Sequence, residues 1–351
     1  MLRTAANLGF HARVCFILFL GFLFLRSTKA ADVTSTLMIG GSKIDVTIDM
    51  SEAPVSEKDV MYWVKCAAES VTAYYRHFPV PHLTLQIMSF DGRGVRHGQT
   101  WGRDGGLIRI RVGSQTIPAG FAQDWMLTHE MVHLAFPSMA DEHHWIEEGL
   151  STYVEPIARI QAGHWTALQM WSDVARDMSK GQPEDDDQGL DHTHTWGRTY
   201  WGGALFCFVA DVQIRKQTKN KKGLQDALRG ILQAGGDIRE DWDIEKALQA
   251  GDHAVGVNVL EKLYSQWKDK PVEVDLAAMW KELGVEPDGA SVRLDDGAPL
   301  APIRRAIVLG SANRKAQAAV SSNGLTPPSS KPLAIFAGRT VGQRSTDHDA
   351  D

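Results

Sequence analysis

The chain has 351 residues, 43% of them hydrophobic, with 37 Lys and Arg against 43 Asp and Glu, a net charge of −6. That acidic balance, with no Lys/Arg cluster along the chain, argues against nucleic-acid binding, which needs a basic face for phosphate. Three cysteines are too few for a disulfide framework, and the length suits one large globular domain or two smaller ones.

Residues 1–30 contain no acid. Arg3 and Arg13 precede an apolar run, Val14 to Leu25, and the segment ends Ser-Thr-Lys-Ala before Ala31. This predicts a secretory signal peptide over 1–30, with Thr28 and Ala30 at the −3 and −1 positions, and hence an exported protein. The run is too short for a transmembrane span, so none is expected after cleavage; an uncleaved signal anchor is the alternative. Loss of Arg3, Arg13, Arg26 and Lys29 with that segment leaves 33 basic against 43 acidic residues. Of the remaining cysteines, Cys66 and Cys207 lie in apolar helical patterns. Two buried thiols and one disulfide are both open, and neither spacing suggests a Cys-ligated metal.

Residues 31–137 mix strand and helix patterns. Leu37 to Ile48 alternates as a strand, broken at Gly40-Gly41. Ser56 to His77 carries apolar residues at helical intervals, with Ser56 and Glu57 as start signals and Pro79 as a stop. His82 to Phe90 alternates as a strand; a glycine-rich loop, Asp91 to Gly106, leads into a second, Leu107 to Val112. A helix then runs from roughly Pro118 to Phe136 and stops at Pro137.

That last helix carries Thr-His-Glu-Met-Val-His, residues 128–133. Four residues apart, His129 and His133 project from one helical face, with Glu130 beside them. This is the HExxH arrangement of a zinc peptidase: two imidazoles bind tetrahedral Zn²⁺, a water takes the open position, and the neighbouring carboxylate receives its proton. A third ligand is required. A second helix opens at Trp145, with Ile146, Leu150, Tyr153 and Ile157 as its buried stripe, and both Glu147 and Glu148 are at hand fourteen residues or so beyond His133. Spacing alone does not choose between them.

Here the sequence resembles the gluzincin zinc metallopeptidases, in particular the aminopeptidase N and glycyl aminopeptidase type, in a short form with a single catalytic domain. Trp145, Glu148 and Gly149 match that family's Trp-x-x-Glu-Gly segment, which implies Glu148 as the third ligand to one Zn²⁺ per chain. Thr199 to Leu205, Thr-Tyr-Trp-Gly-Gly-Ala-Leu, is similar to the segment whose tyrosine stabilises the oxyanion, which implies catalytic Tyr200 beside catalytic Glu130. The implied fold is α+β: a zincin-like, thermolysin-like catalytic domain, with a mixed-sheet upper lobe over 31–137 and a mainly helical lower lobe over 138–310. The resemblance also implies that Leu107 to Val112 edges the cleft and pairs with an extended peptide or protein substrate. One motif is missing. The stretch Asp104 to Gly113 holds no Gly-x-Met-Glu-Asn and no Glu, so amino-terminal specificity does not carry over.

Further candidates surround these segments. Arg109 alternates with Arg111 on one strand face, where it can meet an acidic substrate. His194 and Arg198 precede Tyr200 and are candidates to line the cleft, and Thr152 is a candidate to fix the Glu148 carboxylate. The helical pattern continues after Ile160 through Met178; Ser179 to His194 reads as a polar loop, with Glu184 to Asp187 as solvated surface. Leu224–Leu232, Trp242–Ala250, Ala254–Trp267 and Leu276–Leu283 read as short helices, Val292 to Leu309 as a return to the core, and 311–351 as a disordered tail. A rival to catalysis is a silent zincin-fold binding module, against which Glu130 argues, since a pure binder needs no general base.

Overall fold

The computed structural model describes residues 32–51, 55–102 and 105–310; the expected signal peptide and disordered tail lie outside them. The chain begins with an antiparallel hairpin, β1 (Val33–Ile39) and β2 (Ser42–Asp49), in place of one broken strand. Its turn residues Gly40 and Gly41 both have positive φ, 60° and 87°, the conformation a two-residue hairpin turn requires. Helix α1 (Glu57–Tyr75) follows, its first turn capped by the Ser56 hydroxyl, which accepts from the Asp59 N–H at 3.3 Å. Strand β3 (His82–Phe90) then runs parallel to β2.

The glycine-rich stretch from 91 to 106 is not all loop. It contains strand β4 (Val95–Trp101), which pairs antiparallel with β5 (Leu107–Gly113) through an irregularity between Arg96 and Gln99. The sheet order is β1-β2-β3-β5-β4, so β4, and not Leu107 to Val112, forms the edge beside the HExxH helix. Val-Arg-His-Gly-Gln-Thr-Trp is polar on both faces, which is why alternation did not reveal it. On the inner face Ile44, Val46, Ile48, Leu83, Leu85, Ile87, Ile108, Ile110 and Val112 are buried.

The expected helix from Pro118 to Phe136 is two helices, α2 (Pro118–Gln123) and α3 (Met126–His133). Asp124 makes the break. Its carboxylate accepts from the Met126 and Leu127 N–H groups at 3.3 and 3.2 Å and from Trp63 Nε1 at 2.9 Å, so it caps α3 and ties it to α1.

The rest is mainly helical: α4 (His144–Gln161), α5 (Ala167–Asp177), a π-helical turn (Gly197–Gly202) running into α6 (Gly203–Gln217), α7 (Leu224–Gln233), α8 (Ile244–Val255), α9 (Leu260–Trp267) and α10 (Leu276–Leu283). A hairpin, β6 (Val285–Asp288) with β7 (Ser291–Leu294), and helical residues 301–310 pack Val292, Ile303, Ile307 and Val308 against the core. The pattern read as unbroken through Met178 is interrupted at Gly163 (φ 82°), and left-handed Gly256 closes α8 before α9 begins. The stripe Ile146, Leu150, Tyr153, Ile157 is buried, and α4 packs between α1, α3 and α6. Cys66 and Cys207 are both free thiols, and no helix among the described residues is long and apolar enough to cross a membrane.

Candidate active site

His129 and His133 leave α3 one turn apart, their rings 4.9 Å apart and nearly perpendicular. Glu148 reaches them from the second turn of α4. Its Oε2 lies 2.9 Å from His129 Nε2 and 3.6 Å from His133 Nε2, and its Oε1 lies 3.3 Å from His144 Nε2. Burial opposes ionisation, yet the His133 charge and hydrogen bonds from three histidines hold the Glu148 carboxyl far below the usual carboxylate range. Burial likewise depresses His133, but Glu148 and Glu130 override it and push its pKa up to about 9. Such a cluster attracts a cation. One donor atom each from His129, His133 and Glu148 lie within 4.8 Å of one another, and this His, His, carboxylate set fits three-ligand Zn²⁺. His129 Nδ1 is buried without a hydrogen-bond partner; its ring is held by packing, with Trp125 edge-on at 5.4 Å and Tyr200 stacked at 6.2 Å.

Two helices deliver Glu148 and Tyr200 to this point through a close crossing. A Cβ on Gly149 of α4 would overlap the backbone of Gly203, and one on Gly203 would overlap the Trp145 carbonyl. Only glycine lets α4 and the start of α6 approach so nearly, which explains the glycines in both motifs. Trp145 is fully buried against Phe206 and Tyr264, and its indole N–H donates to Asp191 at 2.8 Å. Asp191 also accepts from the Tyr264 hydroxyl at 2.8 Å, so the start of α4 is fastened to α9. Glu147 faces elsewhere: it accepts from the Met139 N–H at 3.3 Å and lies 3.3 Å from His144 Nδ1.

The structure thus brings together His129, His133, Glu148, Glu130 and Tyr200. The half-buried phenol of Tyr200 is raised well above its ordinary pKa by burial and by the Glu148 and Glu130 charges, so it stays a neutral donor. Opposite, β4 lies along α3. The Thr100 hydroxyl donates to Glu130 Oε2 at 2.6 Å, and a Cβ on Gly98 would overlap the Glu130 carboxylate. Neither residue was legible as a site residue, because β4 itself was not.

Comparison with known proteins bears on the fold. No protein-family model and no curated protein matches the chain. An aminopeptidase N family protein from Idiomarina loihiensis superposes with a TM-score of 0.56 at 12% identity, over 73% of this chain and 50% of that one. The chain shares its fold with the aminopeptidase N family. An M1 zinc metallopeptidase from Deinococcus radiodurans gives a TM-score of 0.45 at 12% identity, over 70% of this chain and 52% of that one. This chain therefore spans about half the length of these solved structures. Its fold is the α+β, zincin-like class with a mixed sheet above and helices below.

Other expected residues sit elsewhere. Arg198 is fully buried, its Nε 2.6 Å from Asp187 and its Nη1 donating to the Gly181 carbonyl. It ties the 182–196 loop to the π-helical turn and does not face a substrate, and Asp187 is buried and not part of a solvated acidic run. His194 is exposed on the approach to that turn. Arg109 stands on the exposed sheet face, donating from Nε to Gln86 at 3.1 Å and lying 5.7 Å from the Trp101 ring. Thr152 is not among the partners of Glu148. A cavity of about 860 Å³ lies at the start of α4, lined by Met139, His143, Asp191, Trp242, Tyr264 and Asp269 among others, and includes none of the three ligand candidates.

Proposed function

We propose that the chain is an exported, zinc-dependent peptidase that hydrolyses peptide bonds by a Glu-activated water, the gluzincin mechanism. One observation carries this reading: His129 Nε2, His133 Nε2 and a Glu148 oxygen converge beside Glu130, which is held by Thr100. His129, His133 and Glu148 would hold the zinc. Zn²⁺ bound there supplies Lewis acidity that makes a water nucleophilic near neutral pH. Glu130 accepts that water's proton as it attacks the scissile carbonyl, and returns it to the leaving amine nitrogen. Thr100 keeps the carboxylate aimed by occupying Oε2, so the other oxygen is left for the proton. The Tyr200 hydroxyl donates to the oxyanion that develops on the former carbonyl, in a site that burial keeps dry.

The substrate is a peptide or protein. As the sheet edge, β4 offers backbone groups for pairing with an extended chain, which reads main-chain more than side-chain chemistry. Val95–Trp101 carries no carboxylate to capture a substrate amine, so free amino termini are not required by this strand. Export follows from the pattern of residues 1–30.

Metal analysis of purified wild type and Glu148→Gln, with peptide-library cleavage on the same samples and Glu130→Gln as the dead control, tests the reading. The expected result is zinc at this site, lost in Glu148→Gln, and cleavage lost in Glu130→Gln; the cleavage positions then separate exo from endo action. Absence of Glu148-dependent zinc in metal-replete wild type overturns the proposal, and Glu148-dependent zinc without any cleavage assigns the site to a binding module.

A further inference from the structure

Beside α1, a second set of metal-compatible donors comes together from parts of the chain almost a hundred residues apart. Cys66 and Glu69 are three residues apart on α1 and therefore share one helical face. His164 approaches them from the turn after α4, where its N–H donates to the Arg159 carbonyl at 2.8 Å and the preceding Gly163 is left-handed. The His164 Nε2 atom is buried and has no hydrogen-bond partner, yet it lies 3.6 Å from Glu69 Oε2. That separation is long for a hydrogen bond and close to the ~3.3 Å between two oxygen or nitrogen ligands about 2.0 Å from a tetrahedral ion. Glu69 uses its other oxygen, Oε1, for Lys65 Nζ at 3.4 Å, which leaves Oε2 turned towards His164. One donor atom each from Cys66, Glu69 and His164 lie within 4.8 Å of one another.

We infer that Cys66, Glu69 and His164 form a second divalent-metal site, suited to Zn²⁺ or Co²⁺. Thiolate, imidazole and carboxylate together select a borderline-soft ion over Mg²⁺ or Ca²⁺, which take oxygen ligands. The half-buried donors leave a fourth position for water. Binding forms a sulfur–metal bond and releases the Cys66 thiol proton to solvent, so uptake weakens as pH falls. Because Cys66 and Glu69 belong to α1 and His164 follows α4, the ion would clasp the sheet-bearing lobe to the helical one. The cysteine spacing gave no hint of it, since the third donor is distant in sequence. This inference does not rest on the peptidase reading.

The test is Co²⁺ titration of the reduced, metal-free chain and of Glu148→Gln, followed by near-ultraviolet thiolate-to-metal charge-transfer absorption. The candidate active site has no thiol donor, so the band reports on cysteine ligation elsewhere, and Cys66→Ser separates Cys66 from Cys207. The expected outcome is a band saturating at one equivalent in Glu148→Gln, abolished in Cys66→Ser and weakened at least about tenfold in both His164→Ala and Glu69→Gln. A missing band overturns the site, as does one that survives Cys66→Ser or is unchanged in the other two variants. A normal band in a wild-type chain that binds no metal at His129, His133 and Glu148 would overturn the peptidase reading alone.

Discussion

Glu130 and Glu148 are both buried carboxylates whose charges act on the His133 imidazole, yet they are held in opposite ways. Glu148 is fixed by charge and by a helix crossing: three histidines surround it, and the Gly149–Gly203 contact and the Trp145–Asp191 bond set the position of its helix. Glu130 is fixed by a polar edge strand, through one threonine hydroxyl and the space left by one glycine. The first arrangement suits a group that must stay ionised and stationary. The second suits a group that must change protonation state with little movement.

Substitutions that attack one support and spare the other sharpen this contrast. Glu148→Gln should lower metal affinity at the site by more than about a hundredfold and remove hydrolysis with it, read by metal analysis and turnover. Glu130→Gln should lower kcat by about 10²–10⁴-fold with metal content unchanged; loss of the metal would erase the distinction. Gly149→Ala, which forces apart the crossing under Glu148, should cost about 1–3 kcal/mol in denaturant unfolding, through overpacking. Thr100→Val should lower kcat about tenfold, the equivalent of one hydrogen bond to a charged group, while KM and metal content hold.

The smallest effect concerns the cap that starts the HExxH helix. Burial raises the Asp124 carboxyl from 3.8 to about 6, against the bonds from Leu127, Trp63 and Met126. The folded state therefore holds this proton more tightly than the unfolded one. That contribution to stability is full below about pH 3.8 and is lost as pH rises through about 6, roughly 1–2 kcal/mol for a partly accessible group. In Asp124→Asn the stability profile between pH 4 and 6 should be correspondingly flatter, measured by chemical denaturation at each pH.

The helix side of the site was legible from the sequence and the strand side was not, for a physical reason. His129 and His133 and the buried stripe of α4 followed from helical period, and Glu148 and Tyr200 from the resemblance of the segments that carry them. Gly98 and Thr100 stand on an edge strand wet on one side, where neither alternation nor hydrophobicity is demanded, and their role depends on a register visible only in three dimensions. The same limit explains Arg198 and Asp187. Arg198 reads as a cleft candidate and Asp187 as solvated surface in their own segments, and only their 2.6 Å pairing shows them to be interior. The α2–α3 break was missed because Asp124 interrupts an otherwise helical pattern with a side chain that substitutes for backbone partners.

The π-helical turn Gly197–Gly202 has a consequence for how this chain tolerates length changes. A π turn behaves as one residue inserted into an α-helix. Deleting a single residue between Tyr200 and Gly203 would return the turn to α geometry and improve its backbone bonding, while rotating everything before the deletion by about 100° about the helix axis. Tyr200 would then leave the His129 ring, and the buried Arg198 would be drawn off Asp187. The register of this one turn is thus a stored irregularity: a shorter, locally better helix would carry its phenol on the wrong side.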